Sequence, residues 1–463
     1  MKPRIITRDK SFYRDFFRLA IPVSLQALIT FLVTFADNLM VNTLGDGAVS
    51  AVYVGSQIQT FLQTMTFGLG NALVILGAMY WGQKDRANIK KLIAIGVRIA
   101  ALIGLIVTVV CLCIPTQVAS IFTDEATVIA DAAVYIKYVC ISYFFFCISQ
   151  IVIVGCRCIE SPKVGMYISS VSLFVNIGLN YILIFGKLGL PAMGVAGAAI
   201  ATTISRVVEA LCACGYLFLK DKKLGMAPRD LLAKDKVLLR DYIKYGTPLI
   251  AGEIVWSINL LVSGGILGHL GESVMTAASV ANTMNTLAFI AFQGFNAAIG
   301  VLTGKTIGAG KTEQMKEYAK TAQVLFLGIG FVLFAVINLL NRPFVSLYSG
   351  ISAEAAIEAV KFITVFSISM WGTSYEASCL YMVKSGGDVS FVFRNDTIFV
   401  FLVVLPLSFL SARLGAPAWV VFACTKCDQV LKCIVAYFKV NSFNWMKNLT
   451  KHEKDEALQQ ANS

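Results

Sequence analysis

Apolar residues recur along this chain in runs of about eighteen or more, separated by short clusters of glycine, proline and charge. Coiled into an α-helix, such a run is long enough to cross the hydrocarbon core of a bilayer. A helix is also one of the two structures that satisfy their own backbone groups in lipid. The pattern predicts spans near 16–44, 48–80, 91–114, 127–156, 163–185, 192–219, 242–268, 274–304, 320–341, 354–383, 392–412 and 416–438. The expected fold is an all-α polytopic membrane protein with twelve transmembrane helices.

Composition agrees. Hydrophobic residues make up 57% of the chain and charged residues 14%, too little charge for a soluble protein of this length. The basic start "MKPRIITRDKSFYRDFFR" precedes an apolar stretch too long for a signal peptide and without a small-residue cleavage site, so it opens a first transmembrane helix. Twelve cysteines are scattered inside the apolar runs, as in Cys111/Cys113 and Cys156/Cys158, and read as small buried hydrophobes. Cys424 and Cys427 have CxxC spacing, but no second pair follows and the histidines are only His269 and His452. A zinc site is not expected, nor any other cofactor.

Lysine and arginine set the orientation. Six stand at or before the first span, Lys2, Arg4, Arg8, Lys10, Arg14 and Arg18, and alternate loops collect "KDRANIKK", "KDKKLGMAPRDLLAKDKVLLRDYIK" and "GKTIGAGKTEQMKEYAK". The opposite loops hold only Lys187, Arg342 and Arg413. By the positive-inside rule both termini are cytoplasmic. The net charge of +12 is then explained by topology and the anionic inner leaflet, and nucleic acid is not an expected partner.

An internal repeat gives the organisation. At an offset of 226 residues "RDFFRLAIPVSL" lies over "RDYIKYGTPLIA", Pro22 over Pro248, Gly45 over Gly271, Gly68 over Gly294 and Gly82 over Gly308. Six spans per copy is an even number, so both copies enter the membrane in the same direction. They are expected as two six-helix bundles related by a pseudo-two-fold axis along the membrane normal, with a cleft between them. The expected division is residues 1–219 for the first bundle, 220–240 for a cytoplasmic linker, 241–445 for the second bundle and 446–463 for a cytoplasmic tail. Two bundles round a central cavity suit alternating access by a monomer. A channel would more naturally use rings of identical subunits.

Polar residues within the spans are the candidate chemistry. Asp37, in "FLVTFADNLMVNTLGDG", falls roughly 10 Å below the outer surface. Asn176 and Asn180, one turn apart on the fifth span, fall roughly 14 and 8 Å below it, and Thr202 on the sixth roughly 15 Å. Oxygen ligands of this kind with one acid among them suit a proton or a hard cation such as Na⁺. The alternative is a solvated Asp37 beside asparagines that join helices.

These residues reach a family. "FADNLMVNTLG", "GAMYWGQKD" and "NIGLNYILIFGKLGLPAMGVAGAAIATTIS" resemble the MATE (multidrug and toxic compound extrusion) transporters over essentially the whole chain. The resemblance implies export of organic cations or other amphipathic compounds, driven by inward H⁺ or Na⁺. It also implies a cation site in the first bundle onto which Asp37, Asn176 and Thr202 map. Asn180 departs from the pattern, because many members carry an aspartate there; Asp37 is left as the carrier. A bacterial plasma membrane is the expected location. A lipid-linked oligosaccharide flippase of the same superfamily is the alternative, disfavoured by twelve spans rather than fourteen and by a cavity not rich in arginine.

The second copy has two intramembrane acids of its own, Glu253 and Glu376, both in the inner half by residue count. The carboxylates that some members carry in these spans would align with Trp256 and Thr373, one helical turn away. The pair could bind a substrate's positive charge or a second cation; alternatively Glu376 pairs with Lys384 and Glu253 bonds within its bundle. Met370, Trp371 and Tyr375 are candidate substrate contacts, with Phe144, Phe145 and Phe146, since aromatic faces attract organic cations. Arg206/Glu209 and Asp428/Lys432 are spaced to neutralise themselves on one helix face and read as structural. "KTIGAGKT" lacks the first glycine of a P-loop, and no His, Ser or metal cluster shares one depth, so neither nucleotide hydrolysis nor another enzymatic activity is expected.

Overall fold

The computed structural model describes residues 5–348 and 350–450; the expected tail beyond Thr450 lies outside them. Every regular element among the described residues is helical. The first repeat holds α1 (Lys10–Asn42), α2 (Asp46–Gly82), α3 (Arg86–Cys113), a short α4 (Pro115–Ala119), α5 (Ala126–Cys158), α6 (Pro162–Phe185) and α7 (Gly194–Gly215). The second holds α8 (Lys236–Gly268), α9 (Glu272–Gly308), α10 (Thr312–Ser346), α11 (Ala353–Ser385), α12 (Val389–Phe399), α13 (Leu405–Arg413), α14 (Ala418–Cys424) and α15 (Asp428–Ser442). π-Helical turns prolong α7 over Tyr216–Lys220 and join α12 to α13 over Val400–Val404. The sequence offset recurs element by element: α8 and α9 match α1 and α2 in length and start, and so does α11 against α5 one residue later.

Eleven helical stretches among the described residues are long and apolar enough to cross a membrane. Large side chains such as Leu102, Ile106, Leu261, Leu339 and Phe438 lie exposed on them, as lipid-facing positions require and a soluble surface would not tolerate in such number. The span expected at 416–438 is interrupted: α14 ends at Cys424 and α15 starts at Asp428. The Thr425 hydroxyl bonds back to the Phe422 carbonyl at 2.7 Å, and the backbone tightens to i→i−3 bonds from Lys426 to Ala423 and from Cys427 to Cys424. Side-chain back-bonding of this sort competes with the regular ladder, and periodicity alone does not reveal it.

The chain packs as two compact units, one of Ile21–Gly246 and the other of residues from Thr247 onward together with those up to Ala20. Compared with a division in the linker at 220–240, the opening turns of α1 and of α8 change sides. In the first unit, the buried Tyr242 of α8 donates its hydroxyl to the Leu69 carbonyl at 2.8 Å. In the second, Phe12 and Phe16 of α1 meet Tyr318, Phe295 and Phe326 with ring centroids 4.6, 5.9 and 5.8 Å apart. The preceding residues are fastened there too. Thr7 donates its amide to the Thr321 hydroxyl at 2.8 Å, and Asp9 accepts from Tyr318 and Gln314. The Tyr318 hydroxyl is the main reason that the Asp9 carboxyl is held down at about 2. Each division of the chain falls beside a proline inside a helix, Pro22 in α1 and Pro248 in α8, where the i→i−4 bond is missing.

In each unit a glycine lets two helix backbones approach closely. A Cβ on Gly104 of α3 would stand 3.0 Å from the Phe144 Cα on α5; on Gly330 of α10 it would stand 2.6 Å from the Trp371 Cα on α11. The two glycines occupy equivalent places in the repeat, and small residues are what lets helix backbones approach in a membrane. Overpacking costs about 1–3 kcal/mol, so Gly330→Val should lower the melting temperature in detergent clearly, and Gly104→Val should do the same. Unchanged melting in either variant would mean that the helices are not so close.

Candidate cation site

The site in the first unit is built from α1 and α6. Spacing of four residues puts Asn176 and Asn180 on one face of α6, and both are fully buried. Asp37, half-buried on α1, accepts a hydrogen bond at Oδ1 from Asn180 Nδ2. The same amide nitrogen also points to Asn176 Oδ1 at 3.3 Å. Asn180 Oδ1 and Asn176 Nδ2 have no hydrogen-bond partner among the described residues, an uncommon state for buried polar atoms. A carboxamide presents a donor to an ionised carboxylate and an acceptor to a protonated one. The pair Asp37–Asn180 therefore accommodates both charge states, and the free amide oxygen could join the carboxylate round a small hard cation.

Thr202, on α7, is half-buried, and its carbonyl accepts from the Ser205 hydroxyl at 2.8 Å. Its own hydroxyl has no hydrogen bond to Asp37 among the described residues. The structure thus joins Asp37, Asn176 and Asn180 by hydrogen bonds, and Thr202 stands one turn before Arg206 on α7.

Two neighbours were not singled out for this site from the sequence. Arg206 and the buried Tyr135 both lie within electrostatic range of Asp37. Arg206 binds Glu209 at 2.6 Å, with side-chain exposures of 15% and 2%, and its guanidinium covers the Phe146 ring at 5.1 Å. Gln150 adds a hydrogen bond to Glu209 at 3.3 Å. Arg206 is thus a fixed positive charge facing the carboxylate while it is itself neutralised on its other side.

The second unit arranges its acids differently from the pairing open to them in the sequence. Glu376, buried on α11, has Lys432 as an opposite charge within electrostatic range. Glu253 on α8, half-buried, has Lys384. The pairing of Glu376 with Lys384 is thus replaced, because Lys432 comes in from α15. Met370 is 3% exposed inside the apolar core with Phe362 and Phe366. Tyr375 is buried and donates its hydroxyl to Gln323 at 2.8 Å. Trp371 is half-buried, and its backbone forms the surface against Gly330.

Asp396 of α12 was missed altogether. It accepts from Lys432 at 2.9 Å. The signal available was the four-residue spacing of Asp428 and Lys432, which shows one partner of the lysine and not the one on another helix.

The MatE family profile matches residues 22–182 and 248–410, once in each repeat. Over 254 residues the chain is 31% identical to the probable multidrug resistance protein NorM of Photorhabdus laumondii, covering 55% of this chain and 56% of that protein. It is 22% identical to the uncharacterized transporter YisQ of Bacillus subtilis over 95% of this chain and 96% of the relative. Among solved structures, the Vibrio cholerae MATE transporter VcmN superposes with a TM-score of 0.84 at 17% identity, over 95% of this chain and 98% of that one. At that identity the likeness shows the fold.

If Arg206 and Glu209 form a structural pair, removing one partner strands a buried charge and costs about 3–5 kcal/mol. Arg206→Met should therefore melt well below wild type, and adding Glu209→Leu should recover most of the loss. A double variant no more stable than the single one would contradict the pairing.

Proposed function

The chain belongs to the MatE family of membrane transporters, and from that premise we propose that it exports organic cations or amphipathic drugs by alternating access in exchange for an inward cation. The observation that carries the reading is the Asp37–Asn180 hydrogen bond between α1 and α6. One carboxylate set among buried amides within a membrane span is the arrangement by which a membrane protein takes up and releases a charge. Relatives named as multidrug resistance proteins support the substrate class. The distribution of lysine and arginine supports cytoplasmic termini, and the repeat within one chain supports a monomer in the cytoplasmic membrane.

In this scheme the outward-open form takes a proton or Na⁺ on Asp37, which cancels the charge opposite Arg206. Asn180 turns its amide oxygen toward the neutralised group, α1 and α6 repack, and the substrate leaves outward. The cation is released on the cytoplasmic side after the transition. A charge crossing 100 mV supplies about 2.3 kcal/mol, enough for tens-fold accumulation without a nucleotide.

Dye efflux from vesicles holding the purified protein tests this. Asp37→Asn should still bind substrate in detergent yet lose efflux driven by a cation gradient. Normal drug resistance in cells carrying Asp37→Asn would rule the scheme out. Comparing an imposed pH gradient with an imposed sodium gradient identifies the ion.

A further inference from the structure

Lys432 enters the interior of the second unit from α15 and is 7% exposed. Its ammonium lies 2.9 Å from Asp396 Oδ1 on α12 and 3.1 Å from Asp428 Oδ2 one turn earlier on α15. Glu376 on α11 is a third carboxylate within electrostatic range, and the Phe399 ring lies beneath the ammonium with its centroid 5.8 Å away. Acids from three helices thus face one lysine. Close by, α12 passes into the π-helical turn Val400–Val404, and such turns often mark functional positions in transport helices. A second lysine, Lys384, is also buried and faces Glu253 and Asp396.

Four carboxylates among apolar helices need positive charge, because an unpaired ion there costs several kcal/mol. Two sources are available to a transporter: a dissolved cation that comes and goes, or a side chain that stays. An ammonium at 2.9 and 3.1 Å from two carboxylate oxygens fills the space in which a small cation would have to sit. We infer that Lys432 is the resident cation of the second unit, held between Asp396 and Asp428, and that it excludes Na⁺ from these carboxylates. Ion exchange is then confined to Asp37 in the first unit, and the ion selectivity of the protein depends on Lys432 as much as on Asp37. The inference rests on the cation-coupled reading given above only for this last step; the exclusion of Na⁺ is a binding property and stands apart from transport.

The test is binding of radiolabelled sodium and sodium-dependent melting, both on purified protein in detergent, with choline as the ionic-strength control. Wild type should show no saturable sodium binding that depends on Asp396. Lys432→Gln should melt lower than wild type in choline. In sodium it should recover and show saturable sodium binding that wild type lacks at these carboxylates. Adding Asp396→Asn should abolish that binding, and Lys432→Arg, which keeps the charge, should stay indifferent to sodium. A Lys432→Gln protein that folds but remains indifferent to sodium would overturn the inference. Should Lys432→Gln not fold, the wild-type measurement decides. Sodium binding that Asp396→Asn removes and Asp37→Asn leaves intact would overturn it; its absence would uphold it. Loss of efflux in Asp37→Asn bears on the proposed transport scheme and not on this exclusion.

Discussion

A charge placed among apolar helices has to be neutralised within hydrogen-bonding distance or be free to change its protonation, since hydration is out of reach. That constraint explains the placing of almost every polar side chain described above. Glu209 is almost fully buried because Arg206 lies 2.6 Å away and Gln150 supplies a further donor. Lys432 is tolerated because two aspartates receive it. Asp37 differs from both: its hydrogen bond comes from a neutral amide, and Arg206 acts on it from a distance. Of the two units, the first keeps a carboxylate whose charge is not permanently matched, whereas the second has its acids facing lysines.

The repeat makes this asymmetry informative. The lengths of three long helices in each copy, α1, α2 and α5 against α8, α9 and α11, the close-approach glycines Gly104 and Gly330 and the prolines Pro22 and Pro248 are held in common. Those features serve packing and hinge positions, which both copies need. One basic place is kept, since Lys432 stands at the repeat position of Arg206, but the acids diverge: Val435 stands opposite Glu209, Thr202 opposite Asp428 and Ser170 opposite Asp396. Shared architecture with unshared acids is what is expected when the two copies divide a task.

How far the sequence discloses this depends on the range of the interaction. Helix positions follow from runs of apolar residues, a local property, so eleven spans lie where the pattern puts them. Thr425 broke the twelfth through a bond to its own backbone, which hydropathy does not register. Asp37, Asn176 and Asn180 were identified because depth can be counted along a helix. Which of their atoms meet depends on rotation about the helix axes, and counting does not fix that. Asp396 and the exchange of partners between Glu253 and Glu376 depend on which helix packs beside which, and that emerges only in three dimensions.

The way α1 and α8 are divided also has a bearing on how the protein came to be one polypeptide. The opening turns of each helix, through Ala20 and through Gly246, find their packing partners in the unit made by the other copy. A fragment severed in the linker would carry Phe12 and Phe16 without the rings they pack on, and its counterpart would keep Tyr242 without the Leu69 carbonyl. Neither piece would be a self-sufficient folding unit. An ancestral single-length protein with these helices would have had to assemble in pairs, each lending the start of one helix to the other, before fusion made the exchange permanent.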